Sequence, residues 1–144
     1  MISKITPFLW FDTQAEEAAN LYVSLFPNSS IGSVSRHGDQ VMTVSFQLDG
    51  LPFTALNGGP MYQFSEATSF VVNCDSQAEI DRYWDALSEG GTAGRCGWLK
   101  DKFGLSWQVI PAGLGKLLQH PGAMQAMMKM NKLDIAELER AAAV

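Results

Sequence analysis

Basic clusters are missing from this 144-residue chain. Its 10 Lys and Arg form no run and are outnumbered by 15 Asp and Glu, for a formal net charge of -5 and a pI near 4.8. Binding nucleic acid through its phosphates takes a concentrated positive surface, so nucleic acid is excluded as a partner. No apolar run approaches the roughly 18 residues of a membrane span. The start, Met1-Ile2-Ser3-Lys4-Ile5-Thr6-Pro7, does not read as a secretory signal. No membrane partner is expected, and the expected location is the cytoplasm. Cys74 and Cys96 are the only cysteines, too few for a disulfide framework. There is no GxGxxG, phosphate loop, Ser-His-Asp arrangement or pair of catalytic carboxylates.

What is present suits a packed core: 47% hydrophobic against 17% charged residues. A chain of this length buries roughly two-thirds of its unfolded surface. One domain over 1–144 is expected. Asp12-Thr13-Gln14-Ala15-Glu16 recurs as Asp75-Ser76-Gln77-Ala78-Glu79, an offset of 63 (75 minus 12). Each copy follows an apolar run and precedes a helical pattern, and each fits a capping box, Thr13 with Glu16 and Ser76 with Glu79. One helix face carries Ala18, Leu21, Tyr22 and Leu25; the other carries Ile80, Tyr83, Trp84 and Leu87, now at offset 62.

Three strands are expected after the first helix, at 31–36, 41–48 and 52–57. In the second of these, Met42, Val44, Phe46 and Leu48 alternate with Thr43, Ser45 and Gln47. Asp49-Gly50 is a hairpin signal. Gly50-Leu51-Pro52-Phe53 answers to Gly104-Leu105-Ser106-Trp107 at offset 54. The fold class is therefore α+β: module 1 over 1–60 and a trimmed module 2 over 66–111, each βαβββ, then a helical tail over 112–144. In the tail, 115–119 is expected as one helical turn, His120-Pro121 as a break, 123–131 as helix, and Asp134 with Glu137 as the cap of a last helix.

Paired βαβββ modules resemble the vicinal oxygen chelate superfamily of glyoxalase I, bleomycin-resistance proteins and extradiol dioxygenases. Within it the wording is similar to the PhnB-like family, labelled 3-demethylubiquinone-9 3-methyltransferase. The segments that carry this are 5–12, 51–60, 70–75 and 96–108, the last reading Cys96-Gly97-Trp98-Leu99-Lys100-Asp101-Lys102-Phe103-Gly104-Leu105-Ser106-Trp107-Gln108. The likeness is read over nearly the whole chain, tail included. It implies a homodimer and, in the superfamily's enzymes, one divalent metal held by His, Glu or Gln from four strands.

Those four windows fall at 5–7, at Thr68 or Ser69, at Thr54 and at Gln108. Only Gln108 can ligate, and a single amide oxygen does not hold a metal against water. Glu66 is the one nearby carboxylate, and His37 and His120 lie outside all four windows. No metal and no cofactor is expected. The methyltransferase label fares no better, because Gly58-Gly59 and Gly90-Gly91 make no dinucleotide-type turn and antiparallel modules leave no room for the parallel sheet.

If Thr54 and Gln108 line a sheet-walled cup, alternation sets Leu56, Ser106 and Ile110 beside them, with Thr43, Ser45 and Gln47 on the same face. Ser69 joins from the second module. Trp98 is open to either cavity lining or packing, while Trp107 is expected to face the helices. Cys96 is read as an unreactive thiol, with a nucleophile as the alternative, and Cys74 as core. Met124, Met127 and Met128 read as a packing stripe. No catalytic residue is identified. The expected function is metal-free binding of an unidentified, neutral or weakly polar small molecule. The alternative is a metal-dependent lyase, isomerase or dioxygenase on the same scaffold.

Overall fold

The computed structural model describes residues 3–143. The chain divides into two compact units, Met1–Phe64 and Ser65–Val144, so the boundary falls within the stretch between the two expected modules. The first unit runs β1 (Phe8–Phe11), α1 (Ala15–Leu25), β2 (Ser30–His37), β3 (Gln40–Leu48) and β4 (Leu51–Asn57). The second runs β5 (Ser69–Cys74), α2 (Gln77–Ser88), β6 (Thr92–Ala93), β7 (Trp98–Lys100) and β8 (Ser106–Pro111). Three helices follow it: α3 (Leu114–Leu117), α4 (Pro121–Met127) and α5 (Ile135–Ala142).

Each unit holds a four-stranded sheet of the same topology, β1-β4-β3-β2 and β5-β8-β7-β6. The first strand lies parallel to the last, and the other pairs are antiparallel. Both modules are βαβββ and the class is α+β. Register confirms the repeat. Phe8 pairs with Thr54 and Val71 with Gln108, so the offsets are 63 (71 minus 8) and 54 (108 minus 54), those of the two sequence matches.

Each helix buries one face on its sheet. Tyr22 packs beside Phe46, which stacks on Phe53 with centroids 5.3 Å apart, and Ala15, Ala18 and Ala19 let α1 approach closely. Full burial of a side chain of that size is worth roughly 2–3 kcal/mol. In the second unit all four expected residues, Ile80, Tyr83, Trp84 and Leu87, are buried, over Val72, Leu99, Trp107 and Val109. Asp49 and Gly50 both take positive φ, as a two-residue Asp-Gly hairpin requires.

The helix starts differ, and one expectation is corrected. Ser76 Oγ accepts from the Glu79 amide at 3.2 Å and Glu79 Oε1 accepts from the Asp75 amide at 2.6 Å, a capping box as expected. Thr13 caps nothing of this kind. The first helix is capped by Gln14, with no side-chain bond, and Asn57 Oδ1 takes the Ala15 amide at 2.8 Å. Asn57 Nδ2 also donates to the Val41 carbonyl, so this one side chain ties β4 to α1 and β3. The helix begins one residue late, which accounts for the slip from offset 63 to 62. In the tail, the chain breaks between α3 and α4 at His120 as expected, but Pro121 already opens α4, at a position that needs no amide donor, and the helix ends at Met127 rather than 131. Asp134 caps α5 through the Glu137 amide.

Asp101, unremarked in the sequence, is buried at the turn between β7 and β8. Its Oδ1 accepts from the Phe103 and Leu105 amides at 2.9 and 3.0 Å, and its Oδ2 from Trp107 Nε1 at 2.9 Å. Asp101→Ala removes the acceptor of three donors. It is expected to lower stability by roughly 3 kcal/mol, read as a fall in the urea midpoint; an unchanged midpoint refutes the clamp.

Candidate functional site

Alternation along the strands gives each sheet one face under its helix and one open face. In the first unit Thr43 pairs with Leu56, Ser45 with Thr54 and Gln47 with Pro52, which sets all five expected residues on the open face. Phe8 and Trp10 of β1 join them. The hydroxyls interlock: Ser35 Oγ lies 2.6 Å from Thr43 Oγ1, and Ser33 Oγ lies 3.0 Å from Ser45 Oγ, which also accepts from the Ser33 amide at 2.8 Å. A depression of about 430 Å³ opens beside them, lined by Thr6, Ser30, Ser45, Gln47, Pro52 and Thr54 among others, with no charged side chain.

In the second unit Ser69, Trp98 and Gln108 come together. Gln108 pairs with Trp98 on one side and Val71 on the other, and its Nε2 donates to Ser69 Oγ at 2.9 Å. Lys100 pairs with Ser106 on the same face, and its ammonium meets Glu66. That hydrogen bond holds the Glu66 carboxyl below its usual range. Trp107 and Phe53 both face the helices, as expected. By register, Thr6, Ser45, Gln47, Pro52 and Thr54 of the depression answer to Ser69, Trp98, Lys100, Ser106 and Gln108. Four of these five positions carry different chemistry in the two modules; Thr6 and Ser69 are both hydroxyls.

The divalent metal implied by the scaffold does not fit these residues. Thr6, Thr54 and Ser69 are hydroxyls, Gln108 offers a single neutral amide oxygen, and the nearby Glu66 carboxylate is engaged by Lys100. Among the described residues no three of His, Cys, Asp and Glu converge. His37 ends β2 and His120 caps α4. The Gly58-Gly59 pair also has a local explanation. The Gly58 amide bonds to the Phe11 carbonyl, Trp10 Nε1 donates to the Gly59 carbonyl at 2.9 Å, and a methyl on Gly58 overlaps the Trp10 ring. These glycines wrap an indole; they do not open a helix toward a phosphate.

A larger depression of about 590 Å³ has walls from three separate parts of the module: Asp12, Thr13, Glu16 and Glu17, then Gln40 and Met42, then Asn57. Glu16 in its wall is paired with Arg36 at 3.5 Å.

The family model described as 3-demethylubiquinone-9 3-methyltransferase matches residues 3–110. The chain belongs to this family. The PhnB protein from Bacillus cereus shares 35% identity over 76% of this chain and all of its own, with a TM-score of 0.73. The fosfomycin resistance protein FosX from Mesorhizobium loti matches over 83% of this chain and all of its own at 13% identity and a TM-score of 0.59. FosX from Listeria monocytogenes, solved with Mn(II) and sulfate, matches over 83% of this chain and 98% of its own at 15% identity and a TM-score of 0.55. The FosX likenesses establish a shared fold. Comparison with curated proteins gives no match. The PhnB-like family match ends at residue 110, which corrects the reading that carried the likeness into the tail.

The two cysteines of this PhnB-like chain differ. Cys74 is buried, and burial, with Glu79 and Asp75 adding, pushes its thiol from 9.0 to about 11. Cys96 is half-buried. At pH 8 a disulfide reagent such as DTNB is expected to titrate Cys96 in the native protein and both thiols only after denaturation. Because folding raises the Cys74 pKa, its contribution to stability is intact below about pH 9 and is lost as pH rises through about 11. Cys74→Ala is expected to flatten that alkaline decline; an unchanged slope counts against it.

Proposed function

We propose that this PhnB-like protein binds a small, neutral or weakly polar molecule against its open sheet faces without a resident metal. The observation that carries this is the donor set. The open-face depression of the first unit is walled by hydroxyls, an amide and carbon, with no charge, and the matching positions of the second unit add an indole, an amide and the Lys100 ammonium, which Glu66 already engages. Such walls orient a ligand through hydrogen bonds. The walls of the first unit's depression hold no titratable side chain for acid–base chemistry. We read the family's methyltransferase description as a label rather than an activity of this chain.

No helix of the described residues is long and apolar enough to cross a membrane. A cytoplasmic homodimer is part of the same proposal. Exposed Ile5, Phe8, Met61 and Tyr62 support the dimer, since exposed apolar side chains gain by burial against a partner. Sedimentation of the purified protein is expected to give twice the chain mass.

Two measurements test the binding reading. Native mass spectrometry followed by a thermal-shift screen of small oxygen-bearing metabolites is expected to yield a stabilising ligand. Thr54→Val, which keeps the volume and removes the hydroxyl, is then expected to weaken it by roughly tenfold. Elemental analysis is expected to find no stoichiometric metal, and calorimetry no binding of S-adenosylmethionine. A tightly held divalent ion, or turnover that appears on adding one, favours the metal-dependent lyase, isomerase or dioxygenase instead.

A further inference from the structure

The hairpins of the two modules are unequal. In the first, β2 runs alongside β3 as far as His37 opposite Gln40, so Thr43 and Val44 have strand partners in Ser35 and Val34. Register makes Cys96 and Gly97 the counterparts of Thr43 and Val44, because Ser45 faces Thr54 where Trp98 faces Gln108. The second hairpin turns early. Gly94 already bonds to the Trp98 carbonyl, and Trp98 to the Arg95 carbonyl, so no residue of β6 lies opposite Cys96 or Gly97. Their amides go instead to the Met130 and Asn131 carbonyls of the tail, both at 2.8 Å. Gly97, at φ +86°, is needed there: a side chain would meet the Val109 carbonyl and Leu133.

The tail also covers an end of the open face. Leu56 of the first unit answers to Ile110 of the second, and Ile110 packs against the tail cluster of Leu114, Leu133 and Leu138. The polar hold on this tail is concentrated. The Gln77 side chain donates to the Leu133 carbonyl at 3.0 Å and accepts from the Ile135 amide at 2.8 Å, and Lys132 pairs with Asp81 at 2.9 Å. The family match stops where the tail begins, and 76% of this chain spans the whole Bacillus cereus relative.

We propose that the tail is a strap that supplies the strand pairing missing at Cys96 and Gly97 and closes the Ile110 end of the second sheet's open face. Its hold sets how much of that face a ligand reaches, which rests on the binding reading above. A segment of three short helices with its own small core opens as a unit more readily than the sheet beneath it.

Amide hydrogen exchange on the full chain tests this without any ligand, so its failure is separate from failure of the binding reading. Gln77→Ala removes two tail bonds and is expected to speed exchange at Cys96 and Gly97 by roughly tenfold, with Val44 of the first module unchanged. Cys96 is expected to react faster with DTNB in step. Ile135→Pro deletes a single donor at a first helical position that tolerates proline, and is expected to act in the same direction, more weakly. Should Gln77→Ala loosen the whole chain, Val44 included, the Ile135→Pro result decides. Exchange that rises at 130–135 while Cys96 and Gly97 stay protected overturns the proposal, and so does no change in either variant.

Discussion

The parallel pairing of each module's first strand with its last is the contact on which the molecule depends. A parallel neighbour is reached only through a crossover, and in each module α1 or α2 begins it, returning over one side of the sheet. That leaves the other side open. It also brings together residues far apart in the chain, Phe8 beside Thr54 and Val71 beside Gln108. Without this pairing the hydroxyls of β3 and β4 form only a hairpin, and Ser69 never meets Gln108.

The open faces carry the chemistry because the other faces are committed. Phe46, Phe53, Trp107 and Val109 are buried under helices, where a polar atom without a partner costs about 1–3 kcal/mol. Thr43, Ser45 and Gln108 accordingly lie on the opposite face and bond across strands to Ser35, Ser33 and Ser69. Such hydroxyl pairs keep lone pairs and protons that a ligand oxygen can share. The duplicated positions have diverged within one chain: Ser45 against Trp98, Gln47 against Lys100, Pro52 against Ser106. Divergence inside a repeat lets one backbone plan present two chemistries.

Much of this was legible in the sequence because period-two alternation and an internal repeat are local signals. They put Thr43, Ser45, Gln47, Thr54 and Leu56 on one face, identified the buried stripe of α2, and fixed both offsets. What escaped were contacts made across the fold. Asn57 caps α1 from the end of β4, which no reading of Thr13 and Glu16 reveals. Asp101 carries no local signal, and its burial follows from the indole of Trp107 turning back toward it. The role of the Met130 and Asn131 carbonyls depended on knowing that β6 stops after two residues.

The sequence by itself determined the duplicated βαβββ plan, the class of each element and the face on which most polar strand residues lie, because these follow from spacing along the backbone. Only the tertiary structure decided which polar groups are already engaged. Gln108 is bonded to Ser69, Glu66 to Lys100 and the Cys96 and Gly97 amides to the tail, since each of those pairings joins residues whose separation in the chain carries no information about their distance in space.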